Sequence, residues 1–401
     1  MLHSARCSIS LFLVALALVS PMTEAQAPPP ASSPAPAANA QAPASAPANV
    51  PSFPPTTSCM DVIRGIPDLS SFYTLLTKSA QASLVQQVQS GSGQFTIFAP
   101  TNSAMRSVSF PAPLPYMRNG TLYTPPASKV NQRELALAAY HILPFSLPTA
   151  RFPRENTPVG TMMQDANFGL FSNQTASLPS PVLLQATPTN QFVIGHGTGR
   201  SAVVKADIQC RTGVIHMINA PFRLPLPASQ MLNRTQLTAT LGIAQAANKV
   251  EKVDRTVGGS VNIFAFPNNS PGAPTQPDAK YFNVTYRPTG WPLFTSSIRA
   301  YLAKEGKDEV VASDDDPSIP ELLISQAQNG SIFVNGVPIV TPDIPIANGV
   351  LHIMAHAMDP NPSSSKNGTS QGSIPSSTVS SPTTQPILLA SMTLLAGWMA
   401  L

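Results

Sequence analysis

The sequence predicts an α+β fold built twice in one chain, and three observations lead there. First, landmark strings recur. Asp207-Ile208, four residues, then Gly213-Val214-Ile215-His216 returns as Asp343-Ile344, four residues, then Gly349-Val350-Leu351-His352. Upstream of each copy, Phe95-Thr-Ile-Phe-Ala-Pro100-Thr-Asn102 is echoed by Val261-Asn-Ile-Phe-Ala-Phe266-Pro-Asn268. The first pair is offset by 136 residues and the second by 166, so the later copy is the shorter one. Such spacing means two tandem domains rather than a solenoid of roughly 20–50-residue units. Second, helical spacing comes first within each copy and strand patterns come last, which argues against alternating βαβ units. Third, 43% hydrophobic content in 401 residues supplies two packed cores.

Residues 1–25 read as a signal peptide: Arg6, an apolar run from Ile9 to Val19 too short to span a bilayer, then a small-residue exit at Ala25. Residues 26–56 are dominated by Ala, Pro and Ser. They cannot bury enough apolar surface to offset ordering entropy, and they read as an extended, solvated spacer open to O-glycosylation. Domain one spans 57–225. Val62, Ile63, Ile66, Leu69, Phe72, Leu75, Leu76, Leu84, Val85 and Val88 lie at helical spacing, predicting two or three short helices broken near Pro67 and Lys78. Phe95–Ala99 reads as a buried strand stopped by Pro100, with Thr101 or Asn102 capping the next helix. A helix over 131–142 follows, and Leu183–Ala186, Phe192–Ile194, Val203–Ile208 and Val214–Ile218 read as strands. Domain two spans 226–359. It offers helices near Leu237–Lys249, Phe294–Lys304 and Ile319–Gln328, and strands at Val261–Phe266, Ile332–Val334, Pro338–Val340 and Val350–Ala357. Residues 360–386 form a second Ser/Thr-rich spacer and 387–401 an apolar terminus. Small residues, polar spacer and short apolar end together make a glycosylphosphatidylinositol signal with a removable tail; Ser376 fits the spacer length best and Gly372 next, with a short tail anchor as the alternative.

Charged residues are 10% of the chain and the formal charge is +4 without a Lys/Arg cluster, which excludes the basic stripe of a nucleic-acid binder. Cys7 leaves with the signal peptide. Cys59 and Cys210 remain, an even pair in an oxidising compartment, and one disulfide is expected; two buried free thiols are the alternative. Seven Asn-x-Ser/Thr sequons are candidate N-glycosylation sites: Asn119, Asn173, Asn233, Asn268, Asn283, Asn329 and Asn367.

Phe95-Thr-Ile-Phe-Ala-Pro-Thr-Asn-Ser-Ala104 resembles the first box of fasciclin domains, Ala139-Tyr140-His141-Ile-Leu resembles their Tyr-His segment, and Ala206–Pro225 resembles their second box. Domain two keeps the second box, from Asp343 to His352, but has Phe266-Pro267 in place of Pro100-Thr101 and lacks a Tyr-His pair. The resemblance covers most of 57–359. It implies two tandem fasciclin-like domains, each a wedge-shaped β-sandwich with packed helices, in a lipid-anchored glycoprotein like those that fungi and plants carry on their surfaces. It also implies partner contact at Tyr140 and His141, because the corresponding segment of animal relatives is linked to receptor binding.

Plain chemistry gives most motif residues a structural role. Phe95, Ile97 and Phe98 are core strand positions, His216 and His352 are hydrogen-bonded structural histidines, and Asp207 and Asp343 bond turn backbone before the glycine. His141 sits at a helix end, where it complements the dipole. His352 and His356 share a strand, about 13 Å apart at strand rise, which excludes one metal between them. Gly195-His-Gly-Thr-Gly199 reads as a hairpin turn rather than a phosphate loop. Asp314-Asp315-Asp316 reads as a solvated helix N-terminus rather than a calcium site. No nucleophile elbow or catalytic grouping stands out, so neither an enzyme nor a cofactor is expected. The expected function is cell-surface adhesion or wall and matrix interaction, outside the cell at the plasma membrane or wall. Its partner would be a surface or matrix protein or polysaccharide, or the chain itself. The alternative is an extracellular carrier of an apolar ligand.

Overall fold

The computed structural model describes residues 50–360 apart from 78–81, 91–92, 107–115, 119–120, 124–127, 165–178, 255–259, 290–291, 308 and 313–319. Domain one opens with three short helices, α1 (Cys59–Gly65), α2 (Ser70–Thr77) and α3 (Ala82–Gln89). Ser58 caps α1, its hydroxyl accepting from the Asp61 N–H at 3.1 Å. A 3-10 turn at Pro67–Leu69 makes the break expected at Pro67. The strand β1 (Phe95–Pro100) is buried along its whole length. Next come α4 (Asn102–Arg106), the small hairpin β2 (Tyr116–Arg118) and β3 (Thr121–Tyr123), α5 (Ser128–Tyr140) and β4 (Ile142–Leu143). The strands β5 (Thr157–Gly160), β6 (Pro181–Ala186), β7 (Phe192–His196), β8 (Gly199–Cys210) and β9 (Gly213–Ile218) complete it.

Domain two repeats this order: α6 (Ala228–Arg234), α7 (Thr238–Ala246), α8 (Val250–Asp254), β10 (Ser260–Ala265), α9 (Phe282–Thr285), β11 (Tyr286–Thr289), α10 (Thr295–Glu305), β12 (Glu309–Ala312), β13 (Leu322–Gln326), β14 (Ile332–Val334), β15 (Val337–Ile346) and β16 (Gly349–Met354). The two seven-stranded sheets share one topology, β4-β1-β9-β8-β7-β6-β5 and β11-β10-β16-β15-β14-β13-β12. In both, a buried strand lies parallel to the last one, with Phe98 opposite His216 and Phe264 opposite His352. The long strand β8 pairs with β7 over one part and β9 over the other, and slips register between Val203, Lys205 and Ile208. β15 does the same between Ile339, Thr341 and Ile344. Such bulges let one strand serve both layers of a sandwich. One core runs from Cys59 to Leu224 and the other from Ala228 to Met358. The fold is α+β, two tandem sheet-and-helix domains.

Two expectations are corrected. Of the helix expected over Ile319–Gln328, the described residues 320–328 form none; they contain β13, in which Leu322 and Ile324 are buried and Leu323 points out. That period-two alternation wins because Ile324 pairs with Val334 on one side and Val310 on the other. Asp314–Asp316, read from sequence as a helix N-terminus, lie outside the described residues. The spacer ends earlier than residue 56: Val50 and Phe53 pack on the first core. The ring of Phe53 fills the space a Cβ on Gly65 would need.

Candidate functional site

The repeated strings converge on one buried frame, built once per domain. His216 is fully buried; its Nδ1 accepts the Asp207 N–H at 3.2 Å, and its Nε2–H donates to the Leu147 carbonyl at 3.0 Å. His352 repeats this with the Asp343 N–H at 3.2 Å and the Leu293 carbonyl at 3.0 Å. An Nδ1 that accepts leaves the ring neutral, and burial lowers the pKa of both imidazoles. The Leu147 N–H donates to Thr96 Oγ1 at 2.7 Å, and the Leu293 N–H to Asn262 Oδ1 at 2.6 Å, so different side chains do one job.

Contrary to the expectation from sequence, the aspartate side chains do not bond their own turn. Asp207 reaches 58 residues back, accepting from the Thr149 N–H at 2.9 Å and from its hydroxyl. Asp343 accepts from the Thr295 N–H at 2.8 Å and from that hydroxyl. Both aspartates have left-handed backbone, φ 56° and 62°, which aims each carboxylate across the sheet. The motif glycines are explained by crowding: a Cβ on Gly213 would meet the Phe95 carbonyl oxygen at 1.9 Å, and one on Gly349 the Val261 oxygen at 1.8 Å. The parallel neighbour strand leaves no room there.

The Tyr-His segment is equally internal. Tyr140 and His141 are both fully buried, which corrects the expectation that they touch a partner. Tyr140 donates to the Pro181 carbonyl at 2.8 Å, and burial raises its pKa. His141 Nε2 accepts the Phe222 N–H at 2.9 Å, and its Nδ1–H donates to Leu137 O at 2.8 Å. The His141 ring stacks on Phe222 at 4.4 Å, and His196 lies against the same phenyl at 5.0 Å. His196 Nδ1 accepts the Arg223 N–H at 2.9 Å, while Nε2–H donates to Ser201 Oγ at 2.8 Å. Burial pushes the imidazole of His141 down to about 4; burial, with His141 and Arg223 nearby, takes that of His196 to about 3. The Gly195–Gly199 segment is the β7–β8 hairpin, His196 facing Gly199. In domain two the register places Val284 and Thr285 where Tyr140 and His141 stand, since Ile97 faces Ile142 and Ile263 faces Tyr286.

Sequence reasoning missed Thr149 and Thr295, the acceptor carbonyls of Leu147 and Leu293, and the hub at Phe222 and His196. A signal for the first four existed: Leu-x-Thr recurs 146 residues apart, in register with the frame. The repeated asparagines are staples too. Asn102 Oδ1 accepts the Ser71 N–H at 2.9 Å and its Nδ2 donates to Pro67 O at 2.9 Å. Asn268 accepts from the Ala239 N–H at 2.8 Å and donates to Gln236 O at 2.9 Å.

Cys59 and Cys210 form a disulfide, joining the start of α1 to the end of β8 across 151 residues. Asn233, Asn268 and Asn329 are exposed and Asn283 is half-buried; Asn119, Asn173 and Asn367, and the attachment candidates Gly372 and Ser376, lie outside the described residues. Among the described residues, no group of three or more His, Cys, Asp or Glu side chains could hold a metal, and no helix is long and apolar enough to cross a membrane.

Comparison with known proteins agrees with these boxes. The fasciclin-domain family model matches residues 67–225. A fasciclin-like arabinogalactan protein of Arthroderma benhamiae is 22% identical over 179 residues, 44% of this chain. Protein sll1483 of Synechocystis sp. is 25% identical over 171 residues, 43% of this chain and 77% of its own. The match spans only 40% of the length of the Arthroderma relative. Among solved structures, a domain pair from the insect cell adhesion molecule fasciclin I aligns over 73% of this chain and 96% of its own, at 13% identity and a TM-score of 0.32. Both boxes and the Tyr-His segment of domain one lie inside the matched region and are built into its core, so residues 67–225 are similar to fasciclin domains in sequence.

Proposed function

We propose that this chain is a non-enzymatic cell-surface glycoprotein that mediates adhesion or wall and matrix contact through its two tandem domains, 57–225 and 226–359. The observation that carries the reading is the family match on a domain closed by the Cys59–Cys210 disulfide, a bond suited to an oxidising, extracellular compartment. Exposed sequons at Asn233 and Asn329 support a glycosylated exterior. So does the name of the Arthroderma relative, an arabinogalactan protein. The buried histidines and tyrosine are scaffold in this reading, so contacts form on the outer faces. Export by residues 1–25, reach from 26–49 and lipid attachment at Ser376 or Gly372 complete the proposal. Individually weak contacts gain strength from many anchored copies. For the carrier reading, domain two offers a pocket of about 250 Å³ lined by Thr295, Arg299, Asn329 and Ser331 together with Ile332, Ile339 and Pro342, a mixed wall rather than the mainly apolar one such a ligand needs.

The test couples residues 26–376 to beads through their C-termini. Clustering of bare beads, or binding to beads coated with wall polysaccharide or matrix protein, is the expected result. Beads that stay dispersed in every case would transfer weight to the carrier.

A further inference from the structure

The contact between the two domains has an unfilled counterpart. Leu183 on the outer face of β6 is buried under Phe294 and Val350 of domain two. Beside it, Arg299 Nη1 lies 3.4 Å from Glu155 Oε2, just ahead of β5, while its Nη2 donates to Gly330 O at 3.1 Å. The registers identify the equivalent surface on domain two. His216 and His352 are counterparts, so Val203 corresponds to Ile339, Ser201 to Val337, Ile194 to Val334 and Leu184 to Ile324. Leu183 therefore corresponds to Leu323. Leu183 is 3% exposed and Leu323 36%, with Val340 on the same outer face at 56%. The half-buried Phe333 lies between them. By the same registers Thr157 corresponds to Val310, so the exposed Glu309 that begins β12 stands one residue past the place of Glu155, on the face of Ser325, its partner across the pair, and of Leu323. Domain two thus carries an exposed apolar spot with an acid beside it, which no other described residue covers.

The surface that would fit it is also present. Leu147–Thr149 occupies the place of Leu293–Thr295 in the shared frame, so Pro148 stands where Phe294 does. Pro148 is half-buried, and Arg151, the exposed cation two residues beyond Thr149, matches Arg299 in charge. We propose that the outer face of domain two around Leu323 and Glu309 binds the Pro148–Arg151 turn of domain one in a second copy of this chain. The contact made within each molecule is thereby repeated between molecules. Because the two faces differ, the contact is head to tail and extends into chains rather than closing a dimer. A patch this small makes a weak, transient interface in solution, strengthened on a surface by multiplicity. The inference rests on the adhesion reading and gives it a partner.

The experiment is sedimentation velocity of the secreted full chain over a concentration series, beside the bead assay. Leu323→Arg and Arg151→Glu, both at exposed positions, are each expected to weaken association about tenfold with unchanged melting temperature. Mixed together they should form dimers but no longer species, since one variant keeps the first face and the other keeps the second. Combining Glu309→Arg with Arg151→Glu in one chain should restore association. A chain that stays monomeric at all concentrations, or association that neither variant alters, overturns the proposal. If matrix-coated beads still bind in that case, the adhesion reading stands and only the second-copy surface falls; if they do not, both fall.

Discussion

Asp343 and Asp207 do the same work in unequal surroundings, and the difference is measurable. Each carboxylate takes an N–H and a hydroxyl from one threonine, but Asp343 is 3% exposed while Asp207 is half-buried. An orphaned buried donor costs about 1–3 kcal/mol, and water relieves part of that where it can enter. Asp343→Ala strands the Thr295 N–H and hydroxyl in a dry site. We expect it to lower the urea midpoint more than Asp207→Ala does. Asp343→Asn, which can still accept the N–H, should fall between Asp343→Ala and the parent chain. Equal losses at the two aspartates would mean that the carboxylates matter through charge rather than through the threonine they hold. The left-handed φ at both aspartates explains the residue choice as well, because Asp tolerates that conformation and β-branched residues do not.

The segment after β9 is held by an element-level arrangement: Phe222 sits between a histidine at the end of α5 and another on β7. Each ring is neutral, with one nitrogen accepting a main-chain N–H and the other donating, so protonation breaks the accepting bond. An unfolded histidine titrates near 6.5, whereas His141 and His196 are held at about 4 and about 3. Between those values the unfolded chain binds more protons than the folded one, so stability present above pH 6.5 is lost as pH falls toward 4 and below. The slope is up to about 1.4 kcal/mol per pH unit for each histidine. Urea midpoints of domain one should therefore be flat from neutral pH upward and drop in mild acid, and His196→Gln should shallow that drop. A profile unchanged by the substitution would place the acid sensitivity elsewhere. The sequence showed β1, β9 and their repeats clearly, because continuous apolar runs bounded by Pro and Gly leave little choice. It misled at Leu322–Gln326, where an Ile-x-x-Leu-Leu run imitates helical spacing and only pairing with β12 and β14 fixes the alternation. The frame itself was half legible: the Asp-to-His strings are local, but their partners Thr149 and Leu147 are 58 and 69 residues away, a distance no short motif spans.

Across the molecule, two cores that could fold separately are joined by a narrow contact. Leu183, Phe294 and Val350 form a cluster of their own and Arg299 bridges to Glu155, while the chain entering domain two is pinned to that domain by the Ala347 N–H, which donates to Leu226 O at 2.8 Å. Interfaces of this kind couple domains only as strongly as their apolar centre allows. Phe294 is that centre, and it also occupies the N-cap of α10 without a capping side chain. Phe294→Ser therefore separates two effects. Removing a buried phenyl costs about 3–5 kcal/mol of packing, here mostly between the domains. A serine in the cap position returns about 1 kcal/mol to α10. Calorimetry of the parent chain should show one cooperative transition, and the variant should show two, with the domain-two transition the less displaced. Small-angle scattering should show a larger radius of gyration once the domains are uncoupled. A single unchanged transition in Phe294→Ser would mean that the connection near Leu226, and not the Leu183 cluster, keeps the pair together. The same result would weaken the case for Leu323, since the free face is inferred from the strength of its occupied twin.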